Sequence, residues 1–401
     1  MPLFPRVFIP FSAGYLVSYL IRVINAVAGE PIAAEFDLLP GELGFLTSVY
    51  FLSFACAQLP NGILMDRFGP RRVQAALLLV GCLGTLAFAR AESFAGLGVS
   101  RFVMGLGLAA CLTAPLTAYR LWFGVERLSM VTGLHMAVGG LGAFLGGAPT
   151  DALIRLLGWR GVFDVVAVVL LITAALTFFF VPKRDYPSSP LPVSTLIREL
   201  SRILIAKPFW RLCPLSVSVQ GIALSVGSLW AGPWLRDAAG VSSQVAAIWM
   251  SAIAVALVVG FLLFGWLGQR AAARGLSSER VFLAGSLGFL IVQILMAVLP
   301  PQTAAPLWLA YAVFGSVGVT SFVVAARSFP SAMAGRVNTA LNFFIFVMAF
   351  LIQWLFGEFL DLFPASDGGA TAAGYRWMFA ILALFQAVTF VPFLLWRRPE
   401  A

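Results

Sequence analysis

The first apolar run of the chain, 7–29, is interrupted by one charge, Arg22. Tyr15, Ser18, Tyr19 and Asn25 recur around it at three- and four-residue steps, so a helix collects all five on one polar stripe. An arginine this deep in a membrane-length apolar run costs about 2.5 to 3.5 kcal/mol on insertion scales, which makes it a functional residue by default. A fixed guanidinium flanked by hydroxyl and amide groups suits an anion. The structural alternative is that Arg22 pairs with Glu30 or Glu35, or snorkels to the interface. Polar groups on later apolar runs, Gln220 and Asn342, are candidates to complete a substrate site with Arg22, Tyr19 and Asn25. Each is equally suited to bond one helix to another.

Catalytic chemistry is poorly served by the same inventory. His135 is the only histidine, which excludes any mechanism that needs two imidazoles. Cys56, Cys82, Cys111 and Cys213 are scattered through apolar stretches with no close-spaced ligand pair and read as small packing residues. No Ser/His/Asp set, metal cluster or phosphate-binding glycine loop stands at a plausible depth. Neither an enzyme nor a cofactor or metal site is expected.

The elements that must position Arg22 are membrane helices. Of 401 residues, 61% are hydrophobic and 11% charged, whereas a soluble domain is about half apolar and a quarter charged. The net charge of +9 does not call for nucleic acid, because the basic residues sit in short loops between apolar runs. A span needs about 20 mostly apolar residues. Runs at 7–29, 42–65, 73–91, 94–123, 128–150 and 161–181 qualify, followed by 208–235, 244–268, 280–300, 305–326, 335–360 and 375–396. The expected fold class is therefore an all-α membrane protein with twelve transmembrane helices in two bundles of six. No cleavable signal peptide is evident ahead of the first run.

With the N-terminus inside, 19 of the 26 Lys and Arg residues fall on the inner side and only Arg90, Arg155, Arg160, Arg236 and Arg376 fall outside. That bias places both termini in the cytoplasm. The predicted divisions are 1–181, a cytoplasmic linker at 182–206, and 207–401. Within the linker, Leu196–Leu204 has apolar residues at i, i+1, i+4, i+7 and i+8, which makes a short amphipathic helix on the membrane surface. Gly158-Trp159-Arg160-Gly161-Val162-Phe163 is echoed 216 residues later, from 158 to 374, by Gly374-Tyr375-Arg376-Trp377-Met378-Phe379. A duplicated six-helix unit follows from that echo.

A second echo concerns the link Gly62-Ile63-Leu64-Met65-Asp66-Arg67-Phe68-Gly69-Pro70-Arg71-Arg72, the only dense charge cluster in the first 120 residues. Its degenerate copy is Gly265-Trp266-Leu267-Gly268-Gln269-Arg270, in which Gln269 replaces Asp66. Gly62 permits close helix contact, Asp66 can face a helix N-terminus or an arginine, and Arg67, Arg71 and Arg72 stay at the inner interface. A merely solvated positive-inside loop is the plainer alternative.

Over essentially the whole chain these residues resemble the major facilitator superfamily. Gly62, Leu64, Asp66, Arg67, Gly69, Arg71 and Arg72 match its signature between the second and third helices, and Arg101-Phe102-Val103-Met104-Gly105-Leu106-Gly107 is similar to a second signature. The glycine-rich fifth span, Gly139-Gly140-Leu141-Gly142 through Gly146-Gly147-Ala148-Pro149, is similar to a third. Close packing and a bendable helix both account for those glycines. The resemblance implies parallel halves with a site near the bilayer midplane, and a gating set of Gly62, Asp66, Arg67, Gly69, Arg71 and Arg101.

Ser18-Tyr19-Leu20-Ile21-Arg22, with Arg120-Leu121-Trp122-Phe123 and Glu126-Arg127, resembles the anion:cation symporter branch, which implies an organic anion as cargo. That branch commonly carries acids where this chain has Ile21 and Leu108, which puts ordinary proton coupling in doubt. His135, Asp164 and Glu30 remain as coupling candidates. An imidazole switches most easily near neutral pH, although a lone histidine is also a common packing residue and Asp164 can simply pair with Arg160. The expected function is a monomeric secondary transporter in the inner membrane. It moves a small anionic metabolite by alternating access, with import favoured and a proton or other ion as a candidate partner. A proton-coupled multidrug efflux pump and a transporter-like membrane receptor are the competing assignments.

Overall fold

The computed structural model describes residues 3–123, 125–183, 193–330, 333–365 and 369–396. It is all-α: among the described residues there are no strands, only an isolated bridge between Pro364 and Ala370. Among the described residues ten helices are long and apolar enough to cross a membrane, and Met130–Leu145 is a shorter apolar helix. The remaining span lies within Pro40–Ala89, which holds two helices joined at Gly69. Gly69 has a φ of 75°, a conformation that costs a side chain with a Cβ about 1–2 kcal/mol. The link between second and third spans therefore turns at its glycine, and Gly275 (φ 71°) does the same in the corresponding link of the second half.

The chain divides into two compact units, Met1–Leu38 with Phe45–Pro190 and Ala247–Ser251, and Leu39–Gly44 with Leu191–Ala246 and Ala252–Ala401. In the first unit the opening helix runs as Leu3–Val23 and continues through Ile24, which keeps helical dihedrals, into Asn25–Phe36. The glycines of the second signature explain themselves by packing. A Cβ on Gly105 would lie 2.6 Å from the Tyr50 carbonyl oxygen, and one on Gly107 would lie 2.1 Å from the Gly81 nitrogen. Small residues let backbones meet where lipid offers no hydrophobic drive between helices. At Gly62, by contrast, a Cβ would meet nothing within 4 Å. Close helix contact is therefore not what calls for that glycine.

The second unit is built around large aromatics. Trp230, Trp234, Trp308, Tyr311 and Tyr375 are all fully buried, with Trp230 stacked on Phe356 and Trp234 edge-on to Trp308. Gln293 donates to Gln386, which donates to the Ser286 carbonyl at 2.8 Å, so two buried amides tie Ser278–Val298 to Ala372–Leu395. The seventh span keeps running through Gly232-Pro233-Trp234, where the proline's chemistry predicts a break or a bend. Val226–Trp230 and Trp234–Ala238 are π-helical turns on either side, and widening the turn accommodates the proline's missing N–H and its ring. Val193–Leu204 is helical, with Arg198, Ser201 and Arg202 exposed and Ile203 buried. Glu199 on that helix pairs with Arg336. Many large apolar side chains elsewhere face outward, among them Leu83, Val99, Leu156 and Phe179, as lipid-facing surfaces require.

Candidate functional site

Three residues of the first span's stripe, Tyr15, Tyr19 and Arg22, touch one another. The Arg22 guanidinium lies over the Tyr19 ring at 4.6 Å and the Phe54 ring at 5.2 Å. Tyr19 meets Tyr15 edge-on at 5.0 Å, and Tyr15 stacks on the His135 ring at 4.4 Å. Arg22, Tyr19, Tyr15 and His135 thus form one continuous cation and ring column in the first unit. Asn25 is buried one turn beyond Arg22, and its Oδ1 has no hydrogen-bond partner among the described residues. A buried amide oxygen without a partner costs roughly 1–3 kcal/mol, so Asn25 is suited to take a hydrogen bond from a polar ligand.

Below the column, His135 Nδ1 lies 3.1 Å from both Ser12 Oγ and Tyr119 Oη, and those two hydroxyls are themselves 3.1 Å apart. Histidine, tyrosine and serine are all buried. Tyr50, across from the stripe, donates to the Ser18 carbonyl at 3.3 Å. Spacing alone gave no sign of Phe54 or Tyr119 as partners. The available signal for Phe54 was its four-residue step from Tyr50 on the second span, which puts both rings on one face.

Other sequence candidates sit elsewhere. Asp164 pairs with Arg90 and not with Arg160. Arg160 instead grips Glu35, which also accepts from Trp159 Nε1 at 2.8 Å, so Glu35 already has a partner other than Arg22. Glu30 is exposed on Asn25–Phe36. In the second unit Gln220 donates to Ser321 Oγ at 3.2 Å and lies across Gly318, where a Cβ would come within 2.1 Å of it. Asn342 is half-buried on Ala334–Leu360.

The expected gating set separates. Arg71 donates to the Val181 carbonyl at 3.3 Å and lies over Phe178, while Arg67 lies over Phe68. The side chain of Asp66 is outside the described residues. Arg101 does not join them. It is fully buried against Phe88 at 4.7 Å and Phe163 at 5.6 Å, and its three guanidinium nitrogens have no hydrogen-bond partner among the described residues. Phe88 is 18 residues along the third span from Pro70, just past the link's turn at Gly69, roughly 27 Å at 1.5 Å per residue. That distance removes Arg101 from any charge network at the link.

The Arg160–Glu35 pair carries a pH prediction. Hydrogen bonding from Arg160 holds the Glu35 carboxyl below its usual range. A depressed folded value means that the stabilisation is present above the ordinary carboxylate range and fades as pH falls through the lowered value. Side-chain exposures of 35% and 43% discount the pair to under about 1 kcal/mol. Glu35→Gln should lower the apparent Tm by only a few degrees at pH 7, and the melting curves of variant and parent should converge in acid.

Comparison with known proteins fits this architecture. The chain is 29% identical over 278 residues to the "Probable sulfoacetate transporter SauU" of Cupriavidus necator, covering 64% of this chain and 63% of that protein. It is 29% identical over 154 residues to the "Probable L-galactonate transporter" of Escherichia coli, covering 38% and 34%. The matched stretches thus span less than two thirds of either relative. A bacterial homolog of the human lysosomal transporter Spinster, solved in an inward-facing and occupied conformation, superposes with a TM-score of 0.80 at 18% identity over 98% of this chain and 97% of that one. Ten membrane-length helices among the described residues, a glycine-turned basic link and a family model that matches residues 11–352 together make this chain a member of the Major Facilitator Superfamily.

Proposed function

We propose that the protein is a secondary transporter for a small organic anion, a carboxylate or sulfonate, working by alternating access in the inner membrane with both termini cytoplasmic. Arg22 carries this assignment: its guanidinium is held between two rings on a polar stripe that ends at an unpartnered Asn25 oxygen. The names of the two relatives support it, since sulfoacetate and L-galactonate are both organic anions. Import is the favoured direction. His135 is the coupling candidate best placed for the task, because it stacks on the same column, whereas Asp164 is engaged by Arg90 and Glu30 is exposed. An efflux pump for cationic drugs fits less well, because a fixed guanidinium repels such a cargo.

Counterflow in proteoliposomes separates the two. A labelled carboxylate or sulfonate of two to six carbons should exchange saturably and be blocked by excess unlabelled anion. Exchange of lipophilic cations, with none of any anion in such a panel, would sink the assignment. Ligand binding with no flux would favour a receptor.

A further inference from the structure

The degenerate copy of the basic link has lost its acid, and the structure shows what took shape there. A pocket of about 360 Å³ opens where Ser243–Ala273 ends and Ser278–Val298 begins, the two helices joined through Gly275. Phe264 and Leu267 contribute to an apolar wall, and Arg270, Arg274 and Arg280 surround it. All three arginines are exposed, and none makes an ion pair among the described residues. The neighbouring carboxylate, Glu279, has both oxygens engaged by Arg211 at 3.1 and 3.2 Å. Gln269 stands where the first half has Asp66, so the copy supplies no acid of its own. Trp266 is half exposed at the same edge, and Arg270 lies over its ring at 5.3 Å.

We propose that this pocket binds an anionic phospholipid, with the headgroup phosphate held by Arg270, Arg274 and Arg280 and an acyl chain along Phe264, Leu267 and Trp266. Three cations around one concavity match a phosphate, and basic pockets between membrane helices suit acidic headgroups. A small soluble anion leaves the apolar wall without a partner, whereas a lipid covers both surfaces. Half-exposed tryptophan belongs at the headgroup level, which sets the pocket at the right depth. Divergence of the repeat therefore exchanged a mixed-charge link for a lipid site.

The test uses the full-length protein in neutral nanodiscs. Phosphatidylglycerol, phosphatidylcholine of matched chains and inorganic phosphate are compared by apparent Tm and by lipid retention in native mass spectrometry. Phosphatidylglycerol should bind and stabilise, with a strength that falls as salt rises. Replacing all three arginines by glutamine should weaken it by about 100-fold, about fivefold per arginine at about 1 kcal/mol each. Replacement by lysine should keep most of the binding. If the triple glutamine variant does not fold, Arg274→Gln alone should show the fivefold loss. Equal binding of phosphatidylcholine, full stabilisation by inorganic phosphate, or unchanged phosphatidylglycerol binding in the glutamine variants would each overturn the assignment.

Discussion

Arg22→Ala should reduce anion uptake by at least about 100-fold while the protein still expresses and elutes as a folded species. Its guanidinium lies against two ring faces, contacts worth about 0.5–2 kcal/mol. A charge-assisted hydrogen bond to a bound anion is worth about 1.5–3 kcal/mol, and a carboxylate or sulfonate can take two from one guanidinium. Each 1.4 kcal/mol is tenfold in affinity, which gives the expected size of the loss at substrate concentrations below saturation. Arg22→Lys distinguishes charge from shape. It keeps the cation but loses the planar face that stacks between Tyr19 and Phe54, so uptake should fall by about tenfold. Initial rates in proteoliposomes, normalised to inserted protein, decide the matter. Uptake by the alanine variant within a factor of two of the parent would remove Arg22 from the site.

How much of this was legible beforehand depended on whether the physics was local. Span positions follow from apolar length alone, and the column of Tyr15, Tyr19 and Arg22 follows from helical period. Partners on other helices have no such signal. Asp164 stands four residues beyond Arg160 and reads as its i,i+4 mate, yet the fold turns it to Arg90 and gives Arg160 to Glu35. Arg101 looked like part of an inner gate because it belongs to a family signature, but its depth along the fourth span puts it beside Phe88 and Phe163. Pro233 breaks or bends a helix by its chemistry. Two π-helical turns absorb it because an open break inside the bilayer leaves backbone groups unsatisfied.

The fifth span shows how packing and site are coupled, and two alanine substitutions there should behave differently. A Cβ on Gly142 would lie 2.1 Å from the Leu16 carbonyl oxygen and 2.9 Å from its carbon. Backbone cannot step aside, so Gly142→Ala must push the first and fifth spans apart. Alanine recovers about 1 kcal/mol of helix propensity, and overpacking costs about 1–3 kcal/mol or more. With a contact this short the clash wins, and the apparent Tm should fall by roughly 5 °C. On Gly139 the atoms nearest the added Cβ all belong to the Tyr15 ring, 2.4 Å to Cε1 and 2.8 Å to Cδ1. A ring can tilt, so stability should hold within about 2 °C. The tilt, however, passes directly to His135 and Tyr19, between which Tyr15 is stacked, and KM should rise by about tenfold. Glycines kept for bending predict the reverse, since alanine at 142 then stiffens the helix, raises the Tm and slows transport. A higher Tm in Gly142→Ala would therefore replace close packing with hinge motion as the reason for this glycine run.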